Sequence, residues 1–330
     1  MPLLLSVIIT SFNEGVNLDR LFQDLSNQDF ENNAYEILFL EAGNDSKERA
    51  VEKLGCSSGL LKYWHIPELS RTAALNFLVK ESIGDLIIRL DARTHIDPDY
   101  LSKIYMLSLR ENVANVGGVQ VPIGESEGQK KIALIMSHPL GLGGGKFRNI
   151  GYRGKVDSLY LGAFSRKYMP NQPWFDERLP KISEDSDLNF RIRKMGGEII
   201  LDSSIIAWHY PRESLKTFFR LCFNYGVGRA LFLIKHRQFS APRQLVLPFA
   251  FLIALSLLGL GVIYPFLYSI LFIGIFFYLT LIFFASFKAR GTSLKDVFFL
   301  ASGFAGCHFF WTLGLFYGLV AYKSRLINSC

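Results

Sequence analysis

The feature that most constrains this chain is a long stretch without a charged side chain, between residues 245 and 286. A helix of about 20 apolar residues is long enough to cross a bilayer. Pro265 lies where a tight turn would separate two such helices. We predict spans near 245–264, 266–286 and 297–322, with a buried core helix as the alternative for each. Because each stretch has the length of a span, the region 244–330 is predicted to be transmembrane.

Basic side chains gather on both sides of this stretch. They are Lys216, Arg220, Arg229, Lys235, Arg237, Arg243, Lys288, Arg290 and Lys295. Basic segments beside spans stay in the cytoplasm and are attracted by anionic headgroups. The pattern predicts a multi-pass protein of the inner (plasma) membrane whose N-terminal part is cytoplasmic. Lys323 and Arg325 would lie outside, against the same rule, so the orientation of the last span stays open.

The formal net charge of +7 does not indicate a nucleic-acid partner, because the N-terminal part has no basic stripe with interleaved aromatic residues. The four cysteines, Cys56, Cys222, Cys307 and Cys330, lack the paired spacing of a zinc site and suggest no disulfide framework. Composition therefore favours a membrane partner over nucleic acid.

Short apolar runs alternate with helical patterns in the first hundred residues. The runs at 5–10, 36–40 and 85–91 each lead into polar residues, and helical patterns lie at 17–25 and 71–81. Buried parallel strands read as near-continuous apolar runs, and their alternation with helices is typical of a sheet covered on both faces. We predict an α/β fold with a mostly parallel, Rossmann-like sheet that has helices on both faces.

Acids and amides follow these runs. Asn13 and Glu14 come after the first, Glu41 after the second, and Asp91 ends the third. In open α/β sheets, ligands bind beyond the carboxyl ends of the strands. The sequence therefore predicts a binding site at this edge.

Several motifs follow one another along residues 3–237. They are Ser-Phe-Asn-Glu at 11–14, Glu41, Asn76, Arg-Leu-Asp-Ala-Arg at 89–93, Val-Asp-Ser-Leu-Tyr-Leu-Gly-Ala-Phe at 156–164, Phe-Asp-Glu-Arg-Leu-Pro at 175–180 and Glu-Asp-Ser-Asp at 184–187. The ordered set resembles the family 2 glycosyltransferases of the GT-A fold. The membrane-bound branch that assembles exopolysaccharides, including succinoglycan-type glucosyltransferases, is the most similar. The resemblance implies a cytoplasmic GT-A catalytic domain over residues 1–212 that uses a nucleotide-sugar, with a UDP-sugar favoured.

By the same resemblance, six residues line the nucleotide. They are Phe12, Asn13, Glu14, Glu41, Arg71 and Asn76. Glu41 stands where the family has an Asp that binds the base or ribose, and a carboxylate accepts hydroxyl hydrogen bonds. The alternatives are an Asx turn or cap for Asn13, a solvated loop acid for Glu41, and ordinary helix surface for Arg71 and Asn76.

The expected metal site departs from the family pattern. Asp91-Ala92-Arg93 stands where the family has Asp-x-Asp, or Asp-Ala-His in the nearest branch. Carboxylates hold Mg²⁺ or Mn²⁺ on the diphosphate because these cations take oxygen ligands. We expect Asp91 to bind such a cation and Arg93 to pair with phosphate. His209 is a further candidate ligand by resemblance to other GT-A enzymes, with a structural histidine as the alternative.

The segment 184–187 resembles the family segment that carries the catalytic base. Inverting transfer needs a carboxylate that takes the proton of the acceptor hydroxyl, and we assign this role to Asp185. Glu184 and Asp187 are predicted to contact substrate. Acids in the first turn of a helix also stabilise its dipole, which is the alternative for all three.

Two further segments bear on the acceptor. The glycine-rich run 141–146 lacks the spacing and the Ser or Thr of a P-loop, so it is either a mobile loop that closes on diphosphate or acceptor, or merely a flexible one. Residues 213–243 mix aromatic and basic side chains, as in a helix lying in the headgroup region. They lack the Gln-x-x-Arg-Trp of processive synthases, so one addition to an undecaprenyl-diphosphate-linked oligosaccharide is favoured.

Other functions stay open. Polyprenyl monophosphate is an alternative acceptor. The altered motif at 91–93 is also compatible with a catalytically silent, nucleotide-binding membrane subunit of a polysaccharide assembly complex. A nucleotidyltransferase is a poorer alternative, since it would not need the acceptor-side carboxylates.

Overall fold

The computed structural model of the chain describes residues 5–32, 34–44, 51, 60–110, 112–169, 171, 173–179, 182–238, 242–289 and 293–322. The chain divides into two compact units, Met1–Ile123 with Gly145–Tyr210, and Gly124–Gly144 with Pro211–Cys330. Several residues discussed above lie outside the described ranges: Cys56, Pro180, Arg290, Lys323, Arg325 and Cys330.

In the described residues, the first unit is built on a nine-stranded sheet with strand order β3-β2-β1-β4-β8-β6-β9-β5, and β7 beside β9. The strands are β1 (Leu5–Ser11), β2 (Tyr35–Glu41), β3 (Leu60–His65), β4 (Leu86–Asp91), β5 (Thr94–Ile96), β6 (Val113–Pro122), β7 (Arg153–Lys155), β8 (Ala163–Ser165) and β9 (Glu198–His209). Strands β3, β2, β1 and β4 run parallel, as do β6 and β9, whereas β5, β7 and β8 pair antiparallel. The predicted mostly parallel sheet is confirmed.

Helices cover both faces of this sheet, as predicted. They are α1 (Gly15–Ser26), α2 (Arg71–Glu81), α3 (Tyr100–Ser108) and α5 (Glu184–Lys194), with short 3-10 helices at Lys146–Arg148 and Arg166–Tyr168. Strand β1 shows why the apolar runs are continuous: Val7 and Ile9 join the core beneath α1 and α3, while Ile8 joins the core beneath α2 and α5. Both side-chain directions of the strand are buried, so both are apolar.

The register of the parallel strands brings their carboxyl ends together. Thr10 of β1 is paired with Asp91 of β4, and Ser11 with Glu41 of β2. The loop after β1 and the ends of β2 and β4 therefore lie at one edge of the sheet. The strand ends thus position the acids that the sequence singled out.

The second unit is helical. Its helices are α4 (Glu127–Ser137), α6 (Leu215–His236), α7 (Val246–Leu260), α8 (Phe266–Lys288) and α9 (Leu294–Ala321), with a 3-10 helix at Pro242–Leu245. By length and composition, α8 and α9 could each cross a membrane. Helix α7 coincides with the first predicted span but has only 15 residues, fewer than the roughly 20 that a span needs. Within the described residues, two candidate spans therefore stand where three were predicted.

Helix α6, predicted to lie among headgroups, packs closely along α9. A Cβ atom added to Gly226 would lie 2.0 Å from the carbonyl oxygen of Trp311, and one added to Gly314 would lie 2.0 Å from that of Phe223. Since Leu215 neighbours Gly303 and Ala230 neighbours Gly318, the two helices run parallel. The headgroup location of 213–243 stays a prediction, but the face of α6 toward α9 is a helix interface.

The glycine-rich run begins in this unit as a tight turn after α4. A Cβ atom at Gly141 would lie 1.9 Å from the carbonyl oxygen of Ile135, so this position requires glycine. His308 of α9 donates from Nε2 to the carbonyl oxygen of Leu140 and accepts at Nδ1 from the hydroxyl of Tyr278, 3.0 Å away. These contacts hold the turn against α8 and α9. Cys222 and Cys307, the two cysteines in the described residues, are buried and are not joined in a disulfide.

Candidate active site

The loop after β1 is organised by a buried carboxylate. Glu41, fully buried, accepts hydrogen bonds at Oε1 from the backbone N–H of Asn13 (3.0 Å) and of Gly43 (2.7 Å). Asn13 has φ +57°, and its side chain fills the space where any Cβ at position 43 would lie. Glu41 Oε2 is buried without a hydrogen-bond partner among the described residues. One carboxylate oxygen thus fixes the loop and the other is left for a donor.

Phe12 comes between Ser11, which pairs with Glu41, and Asn13, whose N–H binds the Glu41 carboxylate, and it is 63% exposed. An exposed aromatic ring is a suitable surface for stacking a flat ligand ring. Glu14, two residues later, is held by Arg93, whose Nε and Nη2 lie 3.0 and 2.9 Å from the two carboxylate oxygens. This two-point pairing fixes both side chains.

Four charged side chains form a network between the ends of β4, α2 and α5. Arg71 Nη2 lies 2.8 Å from both Oδ1 and Oδ2 of Asp91, and Arg71 Nε lies 3.5 Å from Glu184 Oε1. Arg89 Nη2 lies 2.9 Å from Glu184 Oε1 and 3.3 Å from Asp91 Oδ1. Each carboxylate in this network is therefore shared by two guanidinium groups.

Charge pairing offsets the cost of burying this network. Burial works to raise the pKa of Asp91, but Arg71 and Arg89 outweigh it and hold this pKa well below its usual range. Burial likewise works to lower the pKa of Arg71, and Asp91 and Glu184 raise it above its usual value. Asp91 is therefore ionised at neutral pH and both arginines carry their charge.

Asp185 has a different environment from Asp91. It lies in the first turn of α5, and its Oδ1 accepts from the N–H of Ser186. Burial and the neighbouring Glu184 carboxylate raise the pKa of Asp185 above its usual value, against the lowering effect of Arg89. A carboxylate with a raised pKa is a better proton acceptor near neutral pH. The residue before Glu184, Ser183, has φ +82°, so the turn into α5 is strained at this point.

Two of the predicted substrate residues are engaged within the protein. Asp187 is fully buried, and its carboxylate lies 3.0 Å from Arg191 Nε. Asn76 donates to the carbonyl oxygen of Phe175 (2.8 Å) and to Glu177 Oε1 (2.9 Å), and accepts from the N–H of Phe175 (2.9 Å). Asn76 therefore fixes the segment that precedes α5, and its role at a nucleotide stays a prediction.

His209 lies on β9, where its backbone pairs with Thr94. Its Nδ1 is 3.1 Å from the hydroxyl of Tyr160, and it lies near enough to Asp91 to contribute to the lowered pKa of that carboxyl. Across the described ranges, no group of three or more His, Cys, Asp or Glu side chains is arranged to hold a metal ion. Asp91 and His209 supply a hard oxygen ligand and an imidazole. This set fits Mg²⁺ or Mn²⁺ only if phosphate oxygens and water complete the shell.

Two residues of the site were not assigned from sequence. Arg89 interrupts the apolar run 86–90. A charged residue in a buried strand is almost always paired, so its position in the sequence indicated a buried ion pair. Arg89 belongs to the network, and its guanidinium carbon lies over the Phe175 ring, 6.0 Å from the ring centroid. Tyr160, which touches both Thr94 and His209, offered no such signal.

Comparisons with known proteins agree with this architecture. The succinoglycan biosynthesis protein ExoA of Rhizobium meliloti (strain 1021) is 26% identical over 270 residues, which cover 78% of this chain and 80% of that protein. A dolichyl N-acetyl-alpha-D-glucosaminyl phosphate 3-beta-D-2,3-diacetamido-2,3-dideoxy-beta-D-glucuronosyltransferase of Methanococcus voltae is 24% identical over 239 residues, covering 70% of this chain and 74% of that enzyme.

The fold is shared with a mannosyltransferase from Pyrobaculum calidifontis, solved in complex with GDP-Man and Mn²⁺. The TM-score is 0.53 at 17% identity, over 99% of this chain and 90% of that one. Residues 6–169 match the family described as Glycosyl transferase family 2. With this match and the two curated relatives, the chain is a glycosyltransferase that belongs to family 2.

Proposed function

We propose that the chain is an inverting glycosyltransferase that moves a sugar from a nucleotide-sugar to a lipid-linked acceptor. The observation that carries the proposal is Asp185, a carboxylate whose pKa is raised by burial and Glu184, beside a network of ionised side chains. Such a transfer needs charged side chains that hold the donor and a carboxylate that accepts a proton, at the same edge of the sheet.

In the proposed reaction, Asp185 takes the proton of the acceptor hydroxyl while that oxygen bonds to the anomeric carbon. The bond from the anomeric carbon to the diphosphate oxygen breaks, and the electron pair leaves with the nucleoside diphosphate. Attack from the face opposite the leaving group inverts the anomeric configuration. The product is a neutral glycosidic bond, and Asp185 holds the proton until solvent removes it.

The donor is assigned to the residues after β1, β2 and β4. Glu41 Oε2 is buried without a hydrogen-bond partner among the described residues. It is suited to accept a hydrogen bond from a ribose hydroxyl. Phe12 offers its exposed ring to the base. Arg93 and Arg71 are the guanidinium groups in reach of the diphosphate, and a UDP-sugar remains the favoured donor.

A divalent cation, Mg²⁺ or Mn²⁺, is proposed to accompany the donor. Charge supports it: Glu14, Asp91, Glu184 and Asp185 are four carboxylates, and three guanidinium groups pair with the first three of them. A diphosphate would add further negative charge to this cluster. Asp91 would hold the cation, with His209 as the second protein ligand, and the cation would neutralise charge on the leaving diphosphate.

The acceptor is proposed from the relatives and the apolar helices. One relative is a succinoglycan biosynthesis protein, and the name of the other specifies a dolichyl-linked sugar phosphate. We favour an undecaprenyl-diphosphate oligosaccharide, with polyprenyl monophosphate as the alternative. In this proposal residues 1–212 are the cytoplasmic catalytic domain, 213–243 lie at the interface, and 244–330 anchor the chain in the inner membrane, beside a polysaccharide assembly complex.

The test is release of nucleoside diphosphate from a panel of nucleotide-sugars by membranes that contain the full chain and lipid extract. We expect turnover with one donor, at least about a hundredfold lower in Asp185→Asn, the usual contribution of a general base. Asp99→Asn is the matched control, because the side chain of Asp99 is half-exposed and its carboxylate forms an ion pair with Lys103 at 2.7 Å, away from the charged network. Full activity in Asp185→Asn would refute the assignment of the base.

One observation favours a second candidate, a catalytically silent subunit that binds nucleotide. Both carboxylate oxygens of Asp91 accept from Arg71, and Arg93 stands where the family has a second acid. Nucleotide binding without turnover of any donor, in the same membranes, would support this candidate over the transferase.

A further inference from the structure

The carboxylate assigned to the cation is covered by a guanidinium group. Arg71 Nη2 lies 2.8 Å from each oxygen of Asp91. A cation that approached Asp91 would have to compete with this charge at the same two oxygens. Within the described residues no cluster of three metal-ligating side chains is present. The protein without donor therefore has no open position for a divalent cation at Asp91.

The two arginines on Asp91 differ in their freedom to leave. The side chain of Arg89 is 7% exposed and is held by Glu184 at 2.9 Å and by the face of Phe175. Arg71 is the first residue of α2, and its side chain is 39% exposed. Its Nε lies 3.5 Å from Glu184 Oε1, a longer contact than the 2.9 Å between Arg89 and Glu184. Arg71 is thus the partner that can be displaced, while Arg89 stays.

A bound diphosphate would give Arg71 an alternative anionic partner to Asp91. Phosphate oxygens are strong acceptors for guanidinium groups, so Arg71 can exchange the carboxylate of Asp91 for a phosphate oxygen and keep one charged partner throughout. Mg²⁺ and Mn²⁺ sites in phosphate-transferring proteins commonly use one or two carboxylates together with substrate oxygens. The exchange would free Asp91 and supply the missing oxygen ligands in one event.

We propose that Arg71 is a gate that makes binding of the divalent cation at Asp91 depend on the nucleotide diphosphate. The inference rests on the proposed function, since it takes Asp91 as the cation ligand. Arg71 occupies Asp91 in the free protein and passes to the diphosphate when the donor binds. The cation and the nucleotide then bind together, and a cation without nucleotide is excluded.

The test measures Mn²⁺ retained by the full chain in detergent, by equilibrium dialysis with and without UDP or GDP. For the natural protein we expect one Mn²⁺ per chain with the matching nucleotide, and binding at least about tenfold weaker without it, because a charge-assisted pair must be broken first. Arg71→Gln should bind Mn²⁺ alone about tenfold to a hundredfold more tightly than the natural protein. Asp91→Asn should retain no Mn²⁺ under either condition.

Arg153→Gln is the matched control. Arg153 lies on β7, outside the site, and it also pairs with an aspartate, Asp202. It should behave as the natural protein does. Equal Mn²⁺ affinity with and without nucleotide, or no gain in Arg71→Gln, would overturn the inference. If calorimetry shows that a nucleotide binds but Mn²⁺ is never retained, the inference and the proposed cation both fail. Sugar transfer is tested separately, by the release of nucleoside diphosphate. If no nucleotide binds, the proposed function itself fails.

Discussion

Replacing Glu184 by Gln separates the structural and electrostatic roles of the charged network. Glu184 is almost fully buried and accepts from Arg89 at 2.9 Å, and it lies next to Asp185 in the chain. Gln keeps the size of the side chain and removes its charge. The substitution should therefore change both the stability of the domain and the pKa of Asp185.

The stability change follows from the pairing. Arg89 would lose its shorter carboxylate contact and keep Asp91 at 3.3 Å, so its charge stays partly compensated. A hydrogen bond to a charged group contributes about 1.5–3 kcal/mol. For a domain of this size, that corresponds to a melting temperature lower by about 3–12 °C.

The pH dependence has a defined sign. Glu184 raises the pKa of Asp185, and Asp185 must be unprotonated to take the acceptor proton. In the natural protein, kcat/KM should fall as the pH drops through this raised pKa. In Glu184→Gln the pKa of Asp185 falls, because a negative neighbour is gone and Arg89 is less neutralised. The acidic limb of the profile should therefore move to lower pH.

The assays are thermal unfolding in detergent and kcat/KM against pH for sugar transfer. Asp202→Asn is the matched control: Asp202 is almost fully buried and pairs with Arg153 of β7, outside the site. It should lower the melting temperature without moving the acidic limb. An acidic limb that stays in place in Glu184→Gln would refute the electrostatic reasoning, even if the protein melts earlier.

Two further substitutions test local packing. Asn76→Ala should destabilise the first unit by about 2–6 kcal/mol, since the buried N–H and carbonyl of Phe175 lose their partners at roughly 1–3 kcal/mol each. Thermal unfolding measures this, with the exposed Asn27→Ala as control. Gly226→Val should destabilise the α6–α9 pair by about 1–3 kcal/mol or more, because a Cβ atom there meets the carbonyl oxygen of Trp311 at 2.0 Å. Gly274→Val, which meets nothing within 4 Å, should leave the melting temperature in detergent unchanged.

The fold was predictable because its signals are local. The apolar runs that became β1, β2 and β4 are continuous because the strands are buried on both sides. The order of the motifs carried the family resemblance, which the comparisons confirm. The acids that follow the strands could be placed at one edge because parallel strands share a direction.

The pairing within the site was not predictable, since its partners are distant in sequence. Arg89 and Glu184 are 95 residues apart, and Arg71 and Asp91 are 20 apart. No periodicity relates such positions. The role of α6 was obscured for a similar reason: its basic and aromatic side chains suggested a headgroup location, while its contact face is defined by glycines of α9 that only the packing reveals.

The paired state of the arginines limits what they can contribute to donor affinity. Arg93 already holds Glu14 at two points, and Arg71 holds Asp91 at two oxygens. A diphosphate that binds either group replaces a carboxylate, so each exchange trades one charge-assisted hydrogen bond for another and gains little net free energy. The displaced carboxylates would then lie beside a dianion, each with one guanidinium partner fewer. A divalent cation at Asp91 removes this penalty, and the base and ribose contacts at Phe12 and Glu41 supply affinity that the arginines do not.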